Sequence, residues 1–190
     1  MSSAISPAAA KARLIEIVRR RSYGSGVEIR LASGRTSNFY FNMKPTMLDP
    51  EGSYLLALLM LDAVKDWDCE MAGGLEMGAV PLAAAMAAVS FAEGSPVPAF
   101  FVRKQAKEHG TQSLVEGLPK GQSVAGKRVV ILEDVTTTGG SALMAIERVK
   151  ADGAIVAGVI TAVDRLEGAS EAFAREGVVF RAILTAADFR

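Results

Sequence analysis

The segment Val129-Val130-Ile131-Leu132-Glu133-Asp134-Val135-Thr136-Thr137-Thr138-Gly139-Gly140-Ser141 carries the decision about the fold. An unbroken run of large aliphatic residues, 129–132, predicts a strand buried on both faces. Two adjacent acids, Glu133 and Asp134, stand at its end. A turn rich in hydroxyls and glycine follows and enters a helix over 139–151. Such a turn can aim backbone N–H groups and Thr or Ser hydroxyls at a phosphate, and a helix N-terminus adds a favourable dipole. Gly139 and Gly140 let backbone approach a ligand without a Cβ clash. Two acids beside a phosphate cradle would repel the anion. Their better use is to accept hydrogen bonds from sugar hydroxyls or to face a developing positive charge. A phosphorylated sugar satisfies both halves. The string is neither a Walker A loop nor the Gly-x-Gly-x-x-Gly fingerprint. The plainer alternative is an ordinary strand, turn and helix with Asp134 or a threonine as N-cap. The acids, threonines and glycines together are more polar chemistry than a cap needs.

Outward from this segment the pattern alternates. Helix is expected over 7–21, where Leu14, Ile15, Ile17 and Val18 make an apolar stripe and Arg19, Arg20 and Arg21 enrich the C-terminal end. Short strands are expected over 27–31 and 39–44, with a turn-rich stretch between them, and a helix from Pro50 to about 65. A strand near 69–72 leads through Gly73-Gly74 and Gly78 into an Ala-rich helix. Strands over 98–102, 128–133, 155–163 and 178–184 follow, with helices over 139–151 and 170–176 and a long polar stretch over 103–126. Alternating strands and helices predict an α/β fold with a mainly parallel central sheet flanked by helices. Ligands of such sheets sit beyond the carboxyl ends of the strands.

The bulk numbers are consistent with this. At 190 residues, half of them apolar, the chain fits one α/β domain spanning 1–190. Its 21 basic and 21 acidic side chains cancel, so neither a nucleic acid nor a membrane surface is indicated as a partner. The single cysteine, Cys69, permits no intramolecular disulfide and suits a reducing compartment. The first ten residues lack the order of a signal peptide, and the apolar stretch 79–92 is interrupted by Pro81 and is shorter than a membrane span. A soluble cytoplasmic protein is expected.

The central segment resembles the phosphoribosyl-pyrophosphate motif of the type I phosphoribosyltransferases. The resemblance implies that Glu133 and Asp134 hold the ribose hydroxyls, while Val135, Thr136, Thr137, Thr138, Gly139, Gly140 and Ser141 form the cradle of the 5′-phosphate. Three further segments resemble the orotate-specific branch of that family. Arg103-Lys104-Gln105-Ala106-Lys107-Glu108-His109-Gly110-Thr111 gathers three cations and the only histidine in a stretch without apolar periodicity. Composition alone leaves a solvated charge cluster and an anion-binding loop equally open. The resemblance implies that Arg103, Lys104, Lys107 and His109 contact phosphoribosyl pyrophosphate, some of them from a neighbouring subunit, and hence a homodimer with shared sites. The stretch from Ser33-Gly34-Arg35 to Phe39-Tyr40-Phe41-Asn42-Met43-Lys44 resembles the hood over the pyrimidine, formed largely by residues 1–45. Phe41 and Lys44 are its candidate orotate contacts, although packing is the commoner role for any one aromatic. Val163-Asp164-Arg165 places an arginine at a strand end, able to grip a carboxylate through two parallel hydrogen bonds. A surface salt bridge with Asp164 or Glu167 is the alternative. The resemblance implies that Arg165 and Thr137 contact orotate.

The implied reaction transfers ribose 5-phosphate to orotate, giving orotidine 5′-monophosphate and pyrophosphate. Its transition state should resemble an oxocarbenium ion, so positioning and charge stabilisation suffice. Lys107, Glu133 and Asp134 are the candidate catalytic residues. Mg²⁺ is the implied cofactor, held mainly by substrate oxygens and water, with Glu133 and Asp134 as indirect contacts and no direct protein ligand. The chain departs from part of the family at Ala32 and Met77, where some members carry lysine. The competing expectations are a phosphoribosyltransferase for another base and a non-catalytic regulator that binds phosphoribosyl pyrophosphate.

Overall fold

A computed structural model describes residues 5–30, 36–105 and 114–190, without the side chains of 27–30 and 36–38. Helix α1 (Pro7–Arg21) starts where the sequence requires: Ser6 Oγ accepts the Ala9 N–H at 3.3 Å and Pro7 occupies the first turn. Leu14, Ile17 and Val18 are buried. Strands β1 (Tyr23–Arg30) and β2 (Thr36–Phe41) pair antiparallel as a sheet of their own. A short helix α2 (Lys44–Met47) and the longer α3 (Pro50–Val64) follow, the latter capped by Asp49, which accepts the Gly52 N–H at 3.0 Å. Strand β3 (Met71–Leu75), helix α4 (Ala79–Ala92) and strands β4 (Ala99–Val102) and β5 (Val115–Glu116) lead to β6 (Arg128–Thr136). Helix α5 (Gly140–Ala151), strand β7 (Ile155–Asp164), helix α6 (Ala169–Arg175), strand β8 (Phe180–Thr185) and a final 3-10 turn (Ala186–Phe189) complete the described chain.

The main sheet has the order β5-β4-β3-β6-β7-β8, parallel except for the β5 edge. The expected α/β architecture is therefore present. Alternate residues of β6 serve opposite faces. Val130 and Leu132 belong to one core with Leu14, Leu56, Met60 and Met86 from α1, α3 and α4. Val129 and Ile131 belong to the other, with Ala145, Val149 and Phe173 from α5 and α6. None of the described helices is long and apolar enough to cross a membrane.

Several expected boundaries need correction. Strand β1 begins at Tyr23, within the stretch expected only to end the first helix, because Tyr23 pairs with Phe41 and Gly24 with Tyr40. Gly24 leaves room for the exposed Tyr40 ring, which a Cβ at 2.0 Å would push aside. Lys44, expected at the end of a strand, opens α2. Gly73 and Gly74, expected in a turn, lie inside β3, where a Cβ would come within 2.4 Å of Phe100 O and 2.2 Å of Leu132 O respectively. Their glycines thus mark close strand packing rather than a turn. Strand β6 runs three residues past Glu133, and the polar stretch 103–126 contains the edge strand β5.

Candidate active site

The chain leaves β3 through α4 to reach β4 on one side, and leaves β6 through α5 to reach β7 on the other. The two crossovers diverge between β3 and β6, so a crevice opens beyond the carboxyl ends of these strands, the usual ligand position in such sheets. The two strand-end loops meet there. A Cβ on Gly78, in the loop after β3, would lie 2.6 Å from Asp134 Oδ1.

Glu133 and Asp134 line this crevice. Glu133 is 7% exposed, and its Oε2 is buried without a hydrogen-bond partner. Burial, and next the Asp134 carboxylate, hold its carboxyl well above the ordinary range, while Lys104 eases the shift. Asp134 Oδ1 accepts the Val135 N–H at 2.9 Å, and Glu133 Oε1 the Asp134 N–H at 3.3 Å. The Thr136 hydroxyl is also buried without a partner. Buried polar atoms without a protein partner at a strand end are groups that a bound water or a polar ligand can complete.

The turn that follows presents a helix N-terminus. Gly139 is the N-cap of α5 with φ 88° and no side-chain cap, so the first-turn N–H groups face outward. Only glycine fits, because a Cβ would stand 2.9 Å from Phe173 Cζ in a left-handed conformation. A Cβ on Gly140 would meet nothing within 4 Å, leaving open space over the helix end. Thr137 is half-buried, and Thr138 and Ser141 are exposed. Residues 135–141, expected to form the cradle, thus surround one helix terminus.

Arg165 enters from β7, whose end is tied to β6 by the Arg165 N–H donating to Thr136 O at 2.9 Å. Its side chain is buried. Nε donates to Glu167 Oε1 at 2.8 Å and Nη2 to Phe39 O at 3.4 Å, and the guanidinium lies 4.6 Å from the Phe39 ring centre. The ion pair with Glu167, one of the two partners in the salt-bridge alternative, is present, with the arginine buried and the glutamate half-buried. It fixes the guanidinium at the floor of β1–β2. Asp164 braces the turn by accepting the Leu166 N–H at 2.8 Å, and burial raises its carboxyl.

Other expected residues are placed differently. Phe41 packs among Tyr23, Phe39 and Phe189, at ring separations of 5.2, 6.0 and 5.1 Å. Phe39 is the aromatic that reaches Arg165. Lys44 is exposed on α2. Arg103 is half-buried, its guanidinium toward Glu116 Oε1 at 3.4 Å, and Lys104 is exposed. Lys107 and His109 lie outside the described residues, as do Ser33, Gly34 and Arg35. Sequence reasoning gave no role to Glu76 and Arg148. Glu76 Oε1 accepts the Lys104 N–H at 2.7 Å, and Arg148 donates to the carbonyls of Arg103 and Lys104. A helix-end arginine carries no signal of such a contact, since it reads as an ordinary dipole partner. Among the described residues, no group of three or more His, Cys, Asp or Glu side chains could hold a metal ion.

The chain is similar in sequence and fold to known proteins. Residues 73–186 match the phosphoribosyl transferase domain. The chain is 58% identical over 185 residues to the orotate phosphoribosyltransferase of Bradyrhizobium diazoefficiens, covering 97% of this chain and 98% of that one. Among solved structures, orotate phosphoribosyltransferase of Mycobacterium tuberculosis H37Rv in complex with Fe(III) dicitrate is 42% identical with a TM-score of 0.81, over 95% of this chain and 98% of that chain. The same Mycobacterium protein in complex with 5-phospho-α-D-ribosyl 1-diphosphate is similar at 40% identity and a TM-score of 0.77, with the same coverage.

Proposed function

We propose, from the premise that the chain belongs to the orotate phosphoribosyltransferase family, that it transfers ribose 5-phosphate from phosphoribosyl pyrophosphate to orotate. Orotidine 5′-monophosphate and pyrophosphate are the products. The observation that carries the reading is the pairing of buried Glu133, whose Oε2 has no partner, and its half-buried neighbour Asp134 with an uncapped glycine helix terminus at the same strand end. One half suits ribose hydroxyls and the other a phosphate.

In the proposed reaction an orotate ring nitrogen attacks ribose C1 and pyrophosphate departs from the opposite face. Positive charge develops on the ring oxygen and C1. Glu133 and Asp134 accept hydrogen bonds from the ribose 2′- and 3′-hydroxyls and lie close to that charge. The first-turn N–H groups of α5, with Thr136, Thr137, Thr138 and Ser141, hold the 5′-phosphate. Lys104, Lys107, His109 and Arg103 neutralise pyrophosphate. Lys107 is assigned nearest to the leaving charge, on the strength of the resemblance. Arg165 fits the orotate carboxylate: its position is fixed by Glu167 and Phe39, and a planar fork matches a carboxylate. The β1–β2 sheet, whose Phe39 backbone and ring contact Arg165, serves as the cover over the pyrimidine, with Lys44 of α2 as a further contact and Phe41 packed beneath.

The residues present fit Mg²⁺ bound through substrate oxygens and water, because the unpartnered Glu133 Oε2 and the adjacent Asp134 can accept from metal-bound water. Such an ion would spread the charge of the departing pyrophosphate. A homodimer with shared sites rests on the family resemblance, and a cytoplasmic setting on that resemblance and the single thiol. The test is binding of phosphoribosyl pyrophosphate by the wild type and by Glu133→Gln with Asp134→Asn. Tight binding by the wild type and its loss in the double variant support the assignment. Equal binding by both refutes it.

A further inference from the structure

Arg148 stands in the last turn of α5, eight residues from Gly140. At 1.5 Å per residue the two are separated by about 12 Å along the helix axis. The guanidinium there donates Nη1 to Arg103 O and Nη2 to Lys104 O, the latter at 2.8 Å. From the other side Glu76 Oε1 accepts the Lys104 N–H at 2.7 Å, and the Glu76 N–H donates to Val102 O at 2.8 Å. The Arg103 N–H donates to Leu114 O at 2.8 Å, and the Arg103 side chain reaches Glu116. The peptide on each side of Lys104 is thus gripped by a charged side chain from a different element: an anion on its N–H and a cation on its carbonyl.

An exposed backbone turn needs none of this, since water would satisfy the same groups. Two charge-assisted grips on one residue restrict where its side chain can go. We infer that Arg148, with Glu76 as counterpart, is a positioning residue that ties the Arg103–Lys104 backbone to α5. The helix that holds the 5′-phosphate at its N-terminus would thereby fix the pyrophosphate cations relative to that phosphate. The inference rests on the proposed reading of the site, because the proposed function makes Arg103 and Lys104 the pyrophosphate side. The span between 5′-phosphate and pyrophosphate in the substrate is then matched by a rigid helix rather than by loop geometry.

The test compares ligands that occupy opposite ends of the site. Arg148→Ala should weaken pyrophosphate, measured as product inhibition or by calorimetry, about ten- to hundredfold, the worth of charge-assisted hydrogen bonds. It should raise KM for phosphoribosyl pyrophosphate similarly. Binding of ribose 5-phosphate and KM for orotate should stay at wild-type values, while the melting temperature falls by a few degrees at most. Arg148→Lys, which keeps the charge but cannot bridge both carbonyls, should recover part of the loss. Glu76→Gln, which keeps an acceptor without its charge, should weaken pyrophosphate to a smaller degree. Unchanged pyrophosphate affinity in folded Arg148→Ala would overturn the inference. So would equal losses for pyrophosphate and ribose 5-phosphate, which would mean a general structural role. Should Arg148→Ala fail to fold, the same two comparisons in Arg148→Lys decide. A wild type that binds pyrophosphate but turns over no orotate would remove the base assignment alone, and the binding comparison would still judge Arg148.

Discussion

Exchanging Glu133 for glutamine removes a charge and keeps the side-chain shape. Glu133 is 7% exposed, its Oε2 has no partner, and Asp134 adjoins it. Burial and that neighbour raise its carboxyl above the ordinary value in the folded chain. The sign of the stability effect follows. In acid, below the unfolded value near ~4.3, both states hold the proton and Glu133 contributes nothing. As pH rises past that value the unfolded chain releases its proton first, so stability falls. The fall ends once pH passes the raised folded value. Glutamine has no such loss. Glutamine leaves the same polar terminus buried but uncharged, and the charge part of the burial cost is on the order of 1–3 kcal/mol. For a chain of this size each kcal/mol moves the melting temperature by about 2–4 °C. Glu133→Gln should therefore melt roughly 2–10 °C above wild type at neutral pH, with the gap closing toward pH 4. Its kcat/KM should fall about ten- to hundredfold, the worth of a charge-assisted bond to a ribose hydroxyl. Calorimetric melts at several pH values, with initial rates, make the measurement. A variant that is less stable than wild type by the same margin at every pH would refute the reasoning, because Glu133 would then be a satisfied structural acid.

Further outcomes follow from other positions. Gly139→Ala puts a side chain into a left-handed N-cap facing Phe173; it should cost about 1–3 kcal/mol in denaturant melts and raise KM for phosphoribosyl pyrophosphate more than KM for orotate. Gly74→Ala places a Cβ 2.2 Å from Leu132 O and should destabilise by about 3 kcal/mol or more, seen as loss of soluble yield or a large drop in melting temperature. Arg165→Lys loses the planar fork and its stacking on Phe39; KM for orotate should rise about tenfold or more while binding of phosphoribosyl pyrophosphate is kept, as titration calorimetry would show. Phe41→Leu should cost about 1 kcal/mol through the Tyr23 and Phe189 contacts and leave KM for orotate unchanged; a selective rise in that KM would restore Phe41 as a base contact.

The central sheet was legible because buried parallel strands and crossover helices impose strong apolar runs at regular spacing, as at 129–132. The turn into α5 was legible because Gly139, threonine-flanked at a strand end, suits a left-handed helix N-cap. Less legible was whatever depends on contact between distant segments. Gly73 and Gly74 look like turn residues in isolation, and only Phe100 O and Leu132 O explain them as strand residues. Tyr23 looks like a helix terminator until Phe41 is seen to pair with it. Within the proposed site, Glu133, Asp134 and the glycines were singled out from local chemistry. Glu76 and Arg148 were not, because their partners are backbone atoms of 103–104, and backbone acceptors leave no trace in composition. Arg165 and Glu167 lay between these cases: the pair was suggested by proximity in sequence, but its burial under Phe39 was not.

The central claim is most directly tested by mixing purified protein with Mg²⁺, phosphoribosyl pyrophosphate and orotate and following the loss of orotate absorbance, with adenine, hypoxanthine and uracil in parallel. Turnover of orotate alone, with pyrophosphate released in equal amount, is the predicted result. Turnover of another base in place of orotate, or none with any base, would contradict it.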